Sequence, residues 1–140
     1  MPYTKILLAT DGSEHALKAA AQAVQIATAC NISEIEVFGA AVEYAPLKGR
    51  KPFMQAMATE AERAVEETAQ IVVAGGIEPS KVVKPVIGSA GDAICSEAES
   101  IGADLIVMGS RGQGSAHALF AGSTSQHVVH CAGVPVLLVR

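Results

Sequence analysis

A chain of 140 residues is the usual size of one domain, and this one is half hydrophobic but only 4% aromatic, with no tryptophan. Its core is therefore expected to consist of Ala, Val, Ile and Leu, the residues that fill the space between helices and a parallel sheet. The net charge of -4 and the lack of a run of Lys or Arg argue against binding to nucleic acid or to an anionic membrane surface.

The cysteines bear on the cellular compartment. Cys30, Cys95 and Cys131 are odd in number and show no C-x2-C spacing, a pattern that favours reduced thiols in a cytoplasmic protein. The first apolar segment has about six residues, too few for a signal sequence or a membrane span. We therefore expect a soluble cytoplasmic protein that forms a single domain over residues 1–140.

Apolar runs alternate with segments of helical periodicity along the whole chain. Ser13 is expected to cap the first helix, and Gly75–Gly76 and Gly102 are expected to end the second and third. In chain order, the predicted elements are strand Lys5–Thr10, helix Glu14–Cys30, strand Ile35–Val42, a loop over Glu43–Pro52, helix Phe53–Val73, strand Val82–Ile87, helix Ala93–Ser100, strand Leu105–Met108, helix Ser123–Cys131 and strand Val134–Val139.

This alternation predicts an α/β fold, a doubly wound, five-stranded parallel sheet with four helices on its two faces. Ligands of such sheets bind beyond the carboxyl ends of the strands, where the strand order reverses. If the first and fourth strands are neighbours, Asp11–Gly12 and Gly109–Ser110 lie in the same crevice.

The segment after the fourth strand has the composition of an anion site. Nine residues separate Gly109-Ser110-Arg111-Gly112 from Gly122-Ser123, which lies at the predicted start of a helix. Glycines let backbone amides approach a ligand closely, and a helix N-terminus offers unpaired N–H groups to phosphate. No G-x4-G-K-[ST] sequence and no G-x-G-x-x-G fingerprint is present, so neither a Walker loop nor a dinucleotide site is predicted.

With these residues the chain resembles the universal stress protein family along nearly its whole length. The similar segments are residues 6–13, Gly88, residues 103–112, Gly122-Ser123 and residues 134–139. The nucleotide-binding branch of that family carries G-x2-G-x9-G-[ST], which Gly109, Gly112, Gly122 and Ser123 match without a gap.

The resemblance implies a sheet of order 3-2-1-4-5, a homodimer through the last strand (Val134–Val139), and ATP or another adenine nucleotide bound with Mg²⁺ or Mn²⁺. It places Asp11 near the ribose or adenine, the backbone near Ala40 and Ala41 at the adenine edge, and the glycines at the phosphates. Arg111 is the cation of the motif, since no Lys or Arg lies between Gly112 and Gly122. The binding residues so implied are Thr10, Asp11, Gly12, Ala40, Ala41, Met108, Gly109, Arg111, Gly112, Gly122, Ser123 and Thr124.

Three functions are compatible with this sequence. The first is an ATP-binding regulatory or stress-survival module that changes the state of an unknown protein partner. The second is a weak metal-dependent ATPase or a self-phosphorylating protein, with Ser123, Thr124 or Ser125 as the acceptor. The third is a nucleotide-free dimeric interaction protein. No catalytic residue is predicted, because no carboxylate, Ser–His or Cys–His arrangement is positioned for phosphoryl transfer.

Helix four also contains two histidines next to a cysteine. His127 and His130 are three residues apart and could share a helix face, whereas Cys131 is expected to point elsewhere. No metal site of this chain is therefore predicted, and these residues are interpreted as packing or surface groups.

Overall fold

The computed structural model describes residues 2–43, 51–111 and 122–140, with backbone alone for 51–54. Strands and helices alternate throughout this part of the chain. The elements are β1 (Ile6–Ala9), α1 (Glu14–Ala29), β2 (Glu34–Glu43), α2 (Lys51–Ala74), β3 (Glu78–Ile87), α3 (Ala90–Ile101), β4 (Leu105–Gly109), α4 (Ser123–Cys131) and β5 (Val136–Val139).

The five strands form one parallel sheet in the order β3-β2-β1-β4-β5, which confirms the predicted fold. β1 is central, with Leu7 opposite Glu36 of β2 on one side and Ile106 of β4 on the other. The strand order reverses between β1 and β4, so the predicted crevice lies at their carboxyl ends.

A hydrophobic core covers each face of the sheet. One core joins alternate residues of β1, β2 and β4 to α1 and α2, and small residues such as Ala19 and Ala23 let α1 lie close to the sheet. The other joins the remaining strand residues, including Leu7 and Ile106, to α3 and α4. These aliphatic cores agree with the composition of the chain.

The helix ends follow the predicted signals. The Ser13 hydroxyl accepts a hydrogen bond from the Ala16 amide at the start of α1, and Ser89 caps α3 in the same way. Gly102 ends α3 with a φ of 71°, a left-handed conformation that favours glycine.

Several elements extend beyond their predicted bounds, β3, α2 and α3 by two residues or more at their starts. β3 begins at Glu78, not Val82, because its pairing with β2 continues to Glu34 opposite Glu78. Its two prolines are tolerated because β3 is an edge strand. α2 begins at Lys51, and residues 44–50 of the predicted loop lie outside the described part of the chain.

The cysteine prediction is wrong for two of the three residues. Cys95 of α3 and Cys131 of α4 form a disulfide, and Cys30 is free and buried. Cys131 does not point away from the histidines either, since its sulfur lies near His127 on the same face of α4. The Cα atoms of Cys95 and Cys131 are 6.3 Å apart across the α3–α4 contact, a proximity that a separation of 36 residues in sequence does not reveal.

Among the described helices, none combines the length and the apolar character needed to cross a lipid bilayer.

Candidate functional site

A cleft lies beyond the carboxyl ends of β1, β2 and β4, between the starts of α1, α3 and α4. Its described part has a volume of about 240 Å³. This is below the usual range of small-molecule sites, roughly 300–1,000 Å³. The cleft occupies the position that the strand order predicted.

Most of the predicted binding residues meet in this cleft. Gly12 and Ala41 do not line it, and Ala41 is buried behind it. Gly112 lies outside the described residues. The predicted residues that line the cleft are Thr10, Asp11, Ala40, Met108, Gly109, Arg111, Gly122, Ser123 and Thr124.

The start of α4 forms the polar end of the cleft. Gly122 is the N-cap of α4, and Ser123 is the first residue of the helix. Among the described residues, no side-chain oxygen caps this helix, in contrast to α1 and α3, where Ser13 and Ser89 do so. The first-turn amides of a helix have no acceptor within it, so those of α4 remain as donors for a ligand.

The end of β4 is tied to the start of α4 by its backbone. The Gly122 amide donates to the Ser110 carbonyl at 2.7 Å, and the Ser125 hydroxyl donates to the same oxygen at 2.8 Å. Ser125 is buried, so these bonds are shielded from water. They fix the position of the α4 amides relative to the sheet.

Thr10, Asp11 and Gly12 form the turn that leads from β1 into α1. The buried Thr10 hydroxyl bonds to Thr68 of α2 at 2.7 Å and accepts from the Gly12 amide at 3.1 Å. Asp11 Oδ1 accepts from the Ser13 amide at 3.0 Å. Gly12 has a φ of 79°, as this turn requires. Thr10 and Gly12 therefore shape the site, while Asp11 presents its exposed carboxylate at the edge of the cleft.

Gly109 permits a close approach between β4 and α1. A Cβ atom at this position would lie 2.8 Å from the His15 carbonyl carbon and 2.9 Å from the Ala16 amide nitrogen. His15 itself turns to Ser110, with Nδ1 3.2 Å from the hydroxyl oxygen. This glycine is thus required by packing against α1, whatever else it does for a ligand.

Another part of the cleft lining is apolar. Phe38, Ala40 and Val42 of β2 and Met108 of β4 contribute hydrophobic surface suited to a flat aromatic ring. The contribution of α3 was not predicted, and the helix itself was predicted to begin only at Ala93, one turn after its observed start at Ala90. Ala90 and Ile94 line the cleft at a spacing of four residues, the helical signal that could have identified them.

The charges of the lining are few. Among the described lining residues, Asp11 and Arg111 carry the charged side chains. The Arg111 carbonyl accepts a long hydrogen bond, 3.4 Å, from the Ser13 hydroxyl, which connects the β4 loop to the start of α1. An anionic ligand in this cleft would therefore be held by one guanidinium and by the α4 amides.

Comparison with known proteins identifies the lineage of the chain. Residues 2–140 match the sequence profile of the Universal stress protein family. The chain belongs to the universal stress protein family. The family resemblance drawn from the sequence is thereby confirmed, and the strand order agrees with that of its solved structures.

Curated and solved relatives agree with this assignment. A universal stress protein of Thermus aquaticus is 40% identical over 99% of both chains, and one of Methanocaldococcus jannaschii is 30% identical over 99% of this chain and 82% of its own. The structure of UspA from Lactobacillus plantarum superposes with a TM-score of 0.85 at 26% identity, covering 100% and 99% of the two chains. A universal stress protein solved in complex with cAMP superposes with a TM-score of 0.72 at 27% identity, covering 100% and 99%.

Proposed function

We propose that this protein is an ATP-binding universal stress protein, a regulatory module whose state changes when the nucleotide occupies the cleft. The observation that carries the proposal is the N-terminus of α4, which has no side-chain cap, in a cleft that is also lined by apolar side chains of β2 and β4. Such a cleft suits a ligand with an aromatic ring at one end and phosphate at the other.

The lining residues divide into those expected to contact the base, the sugar and the phosphates. The adenine would lie against Phe38, Ala40 and Met108, and the ribose near Asp11. The phosphates would accept hydrogen bonds from the amides of Ser123 and Thr124 and pair with Arg111. The family membership and the relative solved with cAMP support an adenine nucleotide as the ligand class.

A divalent ion would neutralise phosphate charge that one arginine leaves unbalanced. The described lining residues offer a single carboxylate, Asp11, whose Oδ1 already accepts from the Ser13 amide. We therefore assign Mg²⁺ or Mn²⁺ mainly to the phosphate oxygens, with water completing the coordination.

The presence of a single carboxylate among the described lining residues also favours nucleotide binding over nucleotide hydrolysis. Phosphoryl transfer needs a group that orients water or an acceptor hydroxyl at the γ-phosphate, and Asp11, the one carboxylate among the described lining residues, is assigned to the ribose. We expect ATP turnover to be slow. Rapid Mg²⁺-dependent release of phosphate, or a mass gain of phosphate on Ser123, Thr124 or Ser125, would favour the ATPase or self-phosphorylating alternative instead.

We also propose that the protein is a homodimer through β5 and acts in the cytoplasm as one domain. β5 is the last strand of the sheet, and it pairs with β4 on one side. The other edge of a terminal strand carries unpaired backbone groups that a second copy can bind.

Mass spectrometry of bound nucleotide tests the function. Protein purified without added nucleotide is denatured with acid, and the supernatant is analysed. ATP near one equivalent per chain is expected for an occupied site with slow turnover, and ADP or AMP would indicate hydrolysis or energy sensing. A clean extract from protein that also fails to bind added ATP and Mg²⁺ would leave the nucleotide-free interaction protein as the function.

A further inference from the structure

The contact between α3 and α4 brings together four side chains that commonly bind metal ions. Asp92 and Cys95 are three residues apart on α3, and His127 and Cys131 are four residues apart on α4. Both spacings place the two side chains of a pair on one face of their helix. The two pairs face each other across the helix contact, outside the residues that line the cleft.

The potential ligand atoms of this group are close together. One oxygen of Asp92, one imidazole nitrogen of His127 and the Cys131 sulfur all lie within 4.8 Å of one another. His127 Nε2 is 2.6 Å from Asp92 Oδ1. The sulfur of Cys95 is adjacent as well, because it is bonded to that of Cys131.

Gly91 allows the two helices to approach. A Cβ atom at this position would lie 2.6 Å from Cδ2 of the His127 ring and 2.9 Å from its Cβ. The imidazole therefore rests directly on the α3 backbone, with Asp92 beside it. The ligand cluster is thus positioned by two helices of the core fold rather than by a loop.

We propose that reduction of the Cys95–Cys131 disulfide converts this cluster into a Zn²⁺ site with two thiolates, the His127 imidazole and the Asp92 carboxylate as ligands. Two sulfurs, one nitrogen and one oxygen are a ligand set that Zn²⁺ accepts in tetrahedral geometry. Ligand atoms at Zn²⁺ distances of about 2.0–2.3 Å lie roughly 3.3–3.8 Å apart. The separations of 2.6 Å between Asp92 and His127 and of at most 4.8 Å among Asp92, His127 and Cys131 bracket this range.

The oxidised protein cannot form this site, because its two sulfurs are bonded to each other. A dithiol reductant transfers two electrons and two protons to the disulfide, which yields two cysteine thiols and the reductant's own disulfide. Zn²⁺ then binds the thiolates and displaces both thiol protons to solvent. A small-molecule disulfide reverses the process: it accepts two electrons from the two thiolates and is itself reduced to two thiolates, and the re-formed Cys95–Cys131 bond releases the ion.

The cluster is open to solvent, so an ion can enter it. The side chains of His127 and Asp92 are 45% and 69% exposed, and Cys131 is exposed at the end of α4. Cys30, the third cysteine, is buried in the other core, on the opposite face of the sheet, and takes no part.

Co²⁺ titration of the reduced, metal-free protein tests the proposal, because Co²⁺ replaces Zn²⁺ and is coloured. We expect one Co²⁺ per chain, a thiolate-to-cobalt charge-transfer band, visible bands of tetrahedral intensity, and loss of these bands when Zn²⁺ is added. The disulfide form of the same wild-type protein is the control, since it needs no mutation and is expected to show none of these bands.

Variants of α4 assign the ligands. Cys131→Ser is expected to abolish the charge-transfer band, and His127→Gln to weaken Co²⁺ binding by at least about tenfold. His130→Gln is the matched control, because His130 is an exposed histidine of the same helix outside the cluster. Circular dichroism verifies that each variant is folded.

A second measurement does not depend on the variants. Zn²⁺ is expected to raise the melting temperature of the reduced wild-type protein and leave that of the disulfide form unchanged. A reduced wild-type protein without a charge-transfer band, or equal Co²⁺ binding by the reduced and oxidised forms, would overturn the proposal.

Discussion

At the scale of single residues, Gly109 shows that a motif glycine can be required by the fold itself. A methyl group there would lie within 3 Å of the α1 backbone, so Gly109→Ala is expected to lower the free energy of unfolding by about 1–3 kcal/mol. Gly133→Ala is the matched control, because a Cβ atom at Gly133 meets nothing within 4 Å. Urea unfolding compares the two variants, and equal stability of both would contradict the predicted clash.

A second residue-scale feature is the cluster of Glu36, Glu97 and Lys84, on β2, α3 and β3. Burial raises the pKa of Glu36 to about 8, and the neighbouring carboxyl group of Glu97 adds to this shift. Glu36 Oε2 is buried without a hydrogen-bond partner among the described residues. The hydrogen bond from Glu36 is the main factor that keeps the pKa of Glu97 low, and Lys84 pairs with Glu97 at 2.5 Å.

This cluster predicts a pH dependence of stability. The folded pKa of Glu36 is above its unfolded value of 4.5, so the folded state binds the proton more tightly. The stabilisation of the folded state by this proton is complete below pH 4.5 and is lost as the pH rises through about 8. Glu36→Gln is expected to be more stable than wild type at pH 9, by about 1–3 kcal/mol after allowance for partial exposure, and similar to it near pH 4.5.

Denaturant unfolding across this pH range measures the effect. Glu34→Gln, an exposed change on the same strand, is the control and should follow the wild-type curve. If the free energies of unfolding of Glu36→Gln and wild type differed by the same amount at every pH, the predicted rise in the pKa of Glu36 would be contradicted.

At the scale of elements, one substitution at the start of α4 is expected to weaken the proposed nucleotide binding while it stabilises the free protein. In Ser123→Glu, a carboxylate at the first position of the helix interacts favourably with the helix dipole, so the free protein is expected to gain about 0.3–1 kcal/mol. The same charge repels phosphate and is expected to weaken ATP binding at least tenfold. Ser123→Gln is the isosteric control and should keep most of the affinity. Equal ATP affinity of both variants would remove α4 from the phosphate site.

The edge strand β5 makes the dimer testable. The carbonyls of Pro135 and Val139 accept from β4 amides, so in a parallel strand the backbone groups of Leu138 point to the open edge. Leu138→Pro removes an outward amide without breaking the β4 ladder, and the variant is expected to sediment as a folded monomer. Leu138→Ala keeps the amide and should remain a dimer. A wild-type protein that is monomeric at micromolar concentration would refute the β5 interface.

At the scale of the whole molecule, local signals predicted most of the fold. The alternation of elements gave the parallel sheet, and capping residues such as Ser13 and Gly102 set helix ends that the structure confirms. The start of β3 was missed because Pro79, Ser80 and Lys81 form a strand only through pairing with β2. That pairing is tertiary, and local propensity does not encode it.

The site was predictable to a similar extent. The resemblance to the universal stress protein family implied the residues after β1 and β4 and at the start of α4 that line the cleft, and the glycine spacing is the motif that carried this resemblance. The contributions of Ala90 and Ile94, and the Cys95–Cys131 bond, depend on how α3 packs against the sheet and α4. Such packing joins residues distant in sequence and requires coordinates.

The central claim is that the cleft binds an adenine nucleotide through the start of α4. Isothermal titration of nucleotide-free wild-type protein with ATP and Mg²⁺ tests it most directly, with Ser123→Glu and Ser123→Gln titrated in parallel. We predict one site per chain in wild type and in Ser123→Gln, and an affinity at least tenfold lower in Ser123→Glu. The absence of ATP binding to the wild-type protein, with its fold verified by circular dichroism, would contradict the claim.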